Sequence, residues 1–323
     1  LPNADALFLT AIDPYGHELW RWTFPVNQLN QQTEQLSPLS SRPAYTETEN
    51  ELTVKANKRT FIFSKKDGQL KGVSVDNRKI SFANGPRFIG ARRADRSLDQ
   101  FYNHDDEKAK EKDRTYSEFP DAAVFTKLDV KEDGGNLVVT ANYKLGNLDK
   151  TQWTINPSGE LALDYTYNFS GVVDLMGIRF DYPEDQVISK RWLGAGPYRV
   201  WQNRIHGTQY DVWENDYNDP IPGETFTYPE FKGYFGDVSW MNIQTKEGTI
   251  SLTNETPDAY IGVYQPRDGR DRLLYTLPES GISVLNVIPP VRNKVNSTDL
   301  CGPSSQPKWV NGPQTGRVIF RFM

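Results

Sequence analysis

A chain of 323 residues that sets 37 Lys and Arg against 42 Asp and Glu has a formal net charge of -5, with both signs mixed along its length. It lacks the concentrated basic surface that a phosphate backbone requires, so no nucleic acid partner is expected. Its longest apolar runs are strand-sized, short of the roughly 20 residues of a membrane-spanning helix, so no membrane partner is expected either.

The chain opens on Ala6-Leu-Phe-Leu-Thr-Ala-Ile12, Asp13-Pro-Tyr-Gly16 and Glu18-Leu-Trp-Arg-Trp-Thr-Phe24. Alternating apolar residues on either side of Asp-Pro-x-Gly turn chemistry predict a hairpin over residues 1–25. An isolated hairpin is marginal in water. This one is therefore expected to be the tail of a preceding domain, the chain being a piece of something longer, since it begins at Leu1 without an initiator Met or signal-like segment. Residues 26–48, rich in Gln, Ser, Pro and Asn without a sustained apolar period, are expected to be a linker.

From residue 49 to 323 short alternating runs recur between Gly, Asn, Asp and Pro. They include residues 60–63, 72–76, 136–143, 151–155 and 160–167. This spacing predicts an all-β fold, one large antiparallel β-sandwich. The exception is the charge block at residues 105–114, which has no apolar stripe and is expected to be a solvated loop or short exposed helix. Residues 190–240 and 300–309 are dense in aromatics, Pro and Gly, as in rims built on a rigid sheet.

No metal or cofactor is expected. His17, His104 and His206 are far apart, and the single Cys301 supplies neither a disulfide nor ligand spacing. Gly194-Ala-Gly196 runs into Pro197 and opens no phosphate-binding helix. No Ser or Cys sits in a nucleophile elbow, and no carboxylate pair is singled out among 42 acidic residues. Trp201, Arg204, His206, Tyr210 and Trp213 fall in one stretch. Sugars stack their C–H faces on aromatics and take hydrogen bonds from Arg and His, so these residues suit a carbohydrate surface. Core packing is the commoner fate of such aromatics, and both uses remain open. A shared face for Trp201 and Trp213 cannot be assumed, because Gly207 and residues 215–220 interrupt the strand pattern.

The motifs Met176-Gly-Ile-Arg-Phe-Asp-Tyr-Pro183, Arg191-Trp-Leu-Gly-Ala-Gly-Pro197, Asn203-Arg204 and Tyr228-Pro-Glu-Phe-Lys-Gly-Tyr-Phe-Gly-Asp-Val-Ser-Trp240 resemble, in order and spacing, the small chain of family 2 β-galactosidases. Residues 58–70 are similar to that family's opening strand pair, and residues 18–24 to the close of the immunoglobulin-like domain before it. The resemblance implies a galactose mutarotase-like supersandwich behind a catalytic (β/α) barrel. The catalytic glutamates belong to the barrel, so none is expected here. Implied partners are the barrel, the immunoglobulin-like domain and a galactoside.

The family's domain lends an aromatic to the sugar site from a loop near its end, a role compatible with Trp309. Candidate carbohydrate contacts are thus Trp201, Arg204, His206 and Trp309. Arg199, Trp201 and Asn203 depart from the family's acidic residue, Tyr and Asp, so charge pairing there must differ. The terminal loop is also recast, as Ser297-Thr-Asp-Leu-Cys-Gly-Pro-Ser-Ser-Gln-Pro-Lys-Trp309. The expected function is a non-catalytic C-terminal module of a β-galactosidase-like glycoside hydrolase. The alternatives are a stand-alone carbohydrate-binding domain and an aldose mutarotase-like enzyme using His104 or His206. A parent that degrades polysaccharide would favour a periplasmic or extracellular location.

Overall fold

The structure, a computed structural model, describes residues 4, 6–25, 41–93, 116–216, 233–263, 278, 280–290 and 303–323. The charge block, His104, Cys301 and most of the expected linker lie outside them. Described strands are β1 (Ala6–Ile12), β2 (Glu18–Pro25), β3 (Ala44–Glu47), β4 (Glu51–Ala56), β5 (Arg59–Ser64), β6 (Leu70–Val75) and β7 (Arg78–Ile80). Next come β8 (Ala83–Arg93), β9 (Tyr116–Glu118), β10 (Val124–Asp133), β11 (Asn136–Lys144), β12 (Leu148–Ile155), β13 (Leu161–Val173) and β14 (Leu175–Asp181). The last are β15 (Val187–Gly196), β16 (Gln209–Asp216), β17 (Trp240–Thr245), β18 (Gly248–Asn254), β19 (Tyr260–Val263), β20 (Ile282–Val287) and β21 (Lys308–Phe322). Helix among the described residues is confined to short 3-10 turns such as Glu184–Gln186 and Pro303–Ser305. None is long and apolar enough to cross a membrane.

Two large antiparallel sheets face each other, as the all-β expectation requires. One runs β10-β11-β12-β13-β21-β18-β17-β15-β16; the other runs β19-β20-β14-β8-β6-β5-β4-β3, with β7 on β6 and β9 on β8. Every run expected as a strand is one. Alternation sends Leu161, Leu163, Tyr165, Tyr167 and Phe169 of β13 inward, and Leu52, Val54 and Ala56 of β4, in the opposite sheet, belong to the same core. Aromatic pairs bridge the layers: Phe61 to Phe322 at 6.3 Å, Phe63 to Trp153 at 6.0 Å and Phe82 to Phe320 at 5.0 Å between ring centroids. Each such ring buried contributes about 2–3 kcal/mol before entropy is counted. Turn chemistry fixes register locally: Asp76 and Asn77, both at positive φ, make the two-residue connection from β6 to β7.

The expected linker needs one correction. Its last residues form β3, which pairs with β4 from Ala44↔Lys55 to Glu47↔Leu52, so the sandwich sheet begins before residue 48. Its side chains are all exposed; backbone pairing, which composition does not report, decides the strand.

The hairpin forms a two-stranded sheet of its own. Asp13 organises its turn, accepting from the backbone N–H groups of Tyr15 at 2.8 Å and His17 at 2.9 Å. Its register puts Leu7 opposite Phe24 and Leu9 opposite Trp22, so with Trp20 they share one face. All five side chains are about half exposed. The hairpin meets the sandwich through Arg21, whose Nη1 lies 4.0 Å from Asp211 Oδ2.

Candidate functional site

The stretch from β15 to β16 holds three of the four candidate residues. β15 carries the Trp192 to Pro197 motif, and Trp192 is buried in the main core against Phe235, 4.9 Å between centroids. Gly196 pairs with Gln209 and lies against the Trp213 indole; a Cβ built there would fall 2.4 Å from that ring. Only glycine lets the tryptophan lie so close. Trp213 is then fixed through Nε1, which donates to Gln209 O at 3.0 Å and Gly194 O at 3.2 Å.

Beyond Pro197 the chain crosses to the outer side of the other sheet. Val200 and Tyr234 exchange backbone hydrogen bonds of 2.7 and 2.8 Å. Trp201 drops into a second, smaller core with Ile89, Leu175, Tyr234, Leu285 and Ile288. Its ring meets Tyr234 edge-on at 5.6 Å and is 2% exposed. Trp201 thus offers no open face to a sugar, which corrects its place among the candidate contacts. The hydrophobic gain of filling this second core outweighs exposure of so large a ring. Trp213 packs on the main core, so the two indoles do not share a face.

Arg204 and His206 remain on the surface, in the exposed turn that follows Trp201. The Arg204 N–H donates to Trp201 O at 2.8 Å, which closes that turn. Neither side chain has an ion-pair partner among the described residues.

Between them and the core lies a residue that sequence reasoning missed. Gln202 is largely buried, and its Nε2 donates to Ser304 O at 2.9 Å and Gln306 O at 2.7 Å. Asn203 Nδ2 donates to Ser305 Oγ at 3.4 Å, and the Gln202 backbone N–H donates to Pro289 O at 3.1 Å. The two aromatic-dense segments, remote in sequence, are therefore clamped together. A polar residue beside a Trp carries no local signal of this; only the distant partners reveal it.

The clamp holds the turn that leads into Trp309. That residue lies in β21 itself and not in a loop, opposite Val172 of β13, and is 72% exposed. The Gln202 clamp thus ties the surface turn of Arg204 and His206 to the segment that leads into the exposed Trp309. Among the described residues no three His, Cys, Asp or Glu side chains gather as a metal would need. Buried Arg199 stands where the small-chain pattern has an acidic residue, so a cation occupies this junction with the second core.

The chain is similar to galactose 1-epimerase from Lactobacillus acidophilus NCFM, at 10% identity over 88% of this chain and 99% of that one, TM-score 0.49. It is also similar to the GalM/aldose epimerase homologue from C. elegans, at 8% identity over 87% of this chain and 99% of that one, TM-score 0.40. An α-N-acetylgalactosaminidase from Bifidobacterium bifidum is similar at 13% identity over 84% of this chain and 35% of that one, TM-score 0.39. No curated protein matches the sequence. Residues 55–289, which carry most of both sheets and the whole Trp192 to Arg204 stretch, match the β-galactosidase small chain. With the greater part of the sandwich inside that match, the chain belongs to the β-galactosidase small chain family.

Proposed function

We propose that this chain is the non-catalytic C-terminal module of a β-galactosidase-like, family 2 glycoside hydrolase, packing on the catalytic barrel and rimming its carbohydrate site. The observation that carries the proposal is the hairpin face of Leu7, Leu9, Trp20, Trp22 and Phe24, about half exposed in each case, with no covering partner among the described residues. A contiguous face of this kind on a two-stranded sheet is a surface that another body covers. In this reading the covering body is the immunoglobulin-like domain whose last strands the hairpin supplies. Family membership supports the barrel as the next neighbour. The Gln202 clamp supports the rim, because it fixes the base of an exposed Trp309.

The test is hydrolysis of aryl β-galactosides by the purified chain, beside the same chain extended by the polypeptide encoded upstream of Leu1. Turnover is expected only from the extended protein, with a barrel bearing two catalytic carboxylates upstream. Enzyme-like rates from the chain alone, with contaminating enzyme excluded, would overturn the proposal.

A further inference from the structure

The outer face of the nine-stranded sheet carries a groove of about 370 Å³, remote from the Gln202 clamp and built on β12, β13, β21 and the loop after β18. At its centre Arg317 is held at both ends: Nη1 donates to Asp164 at 2.6 Å and Nε to Glu255 at 2.9 Å. Burial works to lower the Arg317 pKa, but the two carboxylates outweigh it and hold it above the ordinary value.

The wall is fixed as firmly. Thr256 Oγ1 donates to Arg317 O at 3.0 Å and accepts from Arg317 N–H at 2.9 Å, and Glu255 N–H donates to the same carbonyl at 3.0 Å. Beneath, Gly316 leaves room for the Tyr165 hydroxyl, which a Cβ would meet at 2.2 Å. Polar groups held this way are oriented before any ligand arrives.

Charge selects the ligand class. Asp164 and Glu255 stand against Arg317 and Lys150, so the lining is balanced. An anion would need surplus positive charge and a cation surplus carboxylate. A paired guanidinium and carboxylate still offer unused N–H donors and lone pairs to neutral hydroxyls.

The register extends the surface. In the β13–β21 pair the outward row runs from Asp164/Arg317 through Thr166/Thr315, Asn168/Pro313 and Ser170/Asn311 to Val172/Trp309. From Arg317 to Trp309 is about 27 Å at the rise of an antiparallel strand. A polar strip that ends on an exposed indole provides hydrogen bonds along its length and one stacking platform.

We propose that this strip is a binding surface for a neutral oligosaccharide lying along β13 and β21, one end in the Arg317 groove and the other on Trp309. The proposal does not rest on docking to a barrel, so either can fail while the other stands.

The test is calorimetric titration of the full chain with β-1,4-galactohexaose, cellohexaose and β-1,4-mannohexaose, long enough to span the strip, with inorganic phosphate as the anionic probe. Saturable binding of at least one hexasaccharide is expected. Thr315→Trp, which fills the groove from an exposed position, should abolish it with unchanged thermal melting. Trp309→Ala should weaken it about three- to tenfold, the worth of one stacked ring. No saturable heat with any of the three sugars, equal affinity in both variants, or phosphate displacing the sugar would each overturn the proposal.

Discussion

Replacing Gln202 by Glu tests whether one side chain holds the Trp309 approach in place. The native amide has two N–H groups, and each meets a carbonyl, Ser304 O at 2.9 Å and Gln306 O at 2.7 Å. Alanine removes both bonds, a loss of about 2 kcal/mol at roughly 1 kcal/mol each. Glutamate nearly preserves shape but reverses the chemistry: ionised, it has only acceptors to set against two carbonyl oxygens. Its cost should exceed that of alanine, about 3 kcal/mol or more.

The sign with pH follows. The facing carbonyls disfavour the charged form, so the folded-state pKa of Glu at this position lies above its unfolded value of about 4.3. The folded state then binds the extra proton, and stability of the variant falls as pH rises through that window and recovers below it. Urea denaturation at pH 7 and pH 4.5 measures the difference, and hydrogen exchange of residues 303–310 locates it. If the variant matched wild type at pH 7 with protection at residues 303–306 intact, or if its deficit were the same at both pH values, the clamp would have no such role.

Gly196→Ala should destabilise the chain by about 1–3 kcal/mol in thermal melting, because its Cβ falls 2.4 Å from the Trp213 ring; Trp213→Leu in the same chain should recover part of the loss. Trp201→Ala should cost about 3–5 kcal/mol of unfolding free energy as the second core opens. Trp20→Ser with Trp22→Ser should leave sandwich melting unchanged while lowering binding of an apolar dye, since both rings are about half exposed on the hairpin.

Where strand identity was written in alternation, it was readable. Residues 136–143 and 151–155 show period two because one face of each strand meets the core, and both became β11 and β12. β3 was hidden because none of its side chains is buried, so only its backbone pairing with β4 marks it. The candidate site divided along the same line. Arg204 and His206 sit on the surface, as charge and polarity suggest, whereas Trp201 was equally compatible with core and rim until its neighbours were known. Gln202 and the Asp164, Arg317 and Glu255 cluster had no sequence signal. Their partners come from separate strands, brought together only by sheet order.

Consider where β21 lies. The last described strand is not at an edge: it fits between β13 and β18, joining the half-sheet of β10 to β13 to the half-sheet of β15 to β18. During synthesis those halves emerge first, each with a raw edge and an uncovered apolar face, and neither can find its neighbour until residues 308–322 are available. Closure of the sheet is therefore a late, long-range event, of the kind that slows folding and leaves edges open to other chains. Deleting residues 308–322 alone would remove only 15 residues. It would still leave two unmatched half-sheets in place of one, a lesion of connectivity far larger than its length.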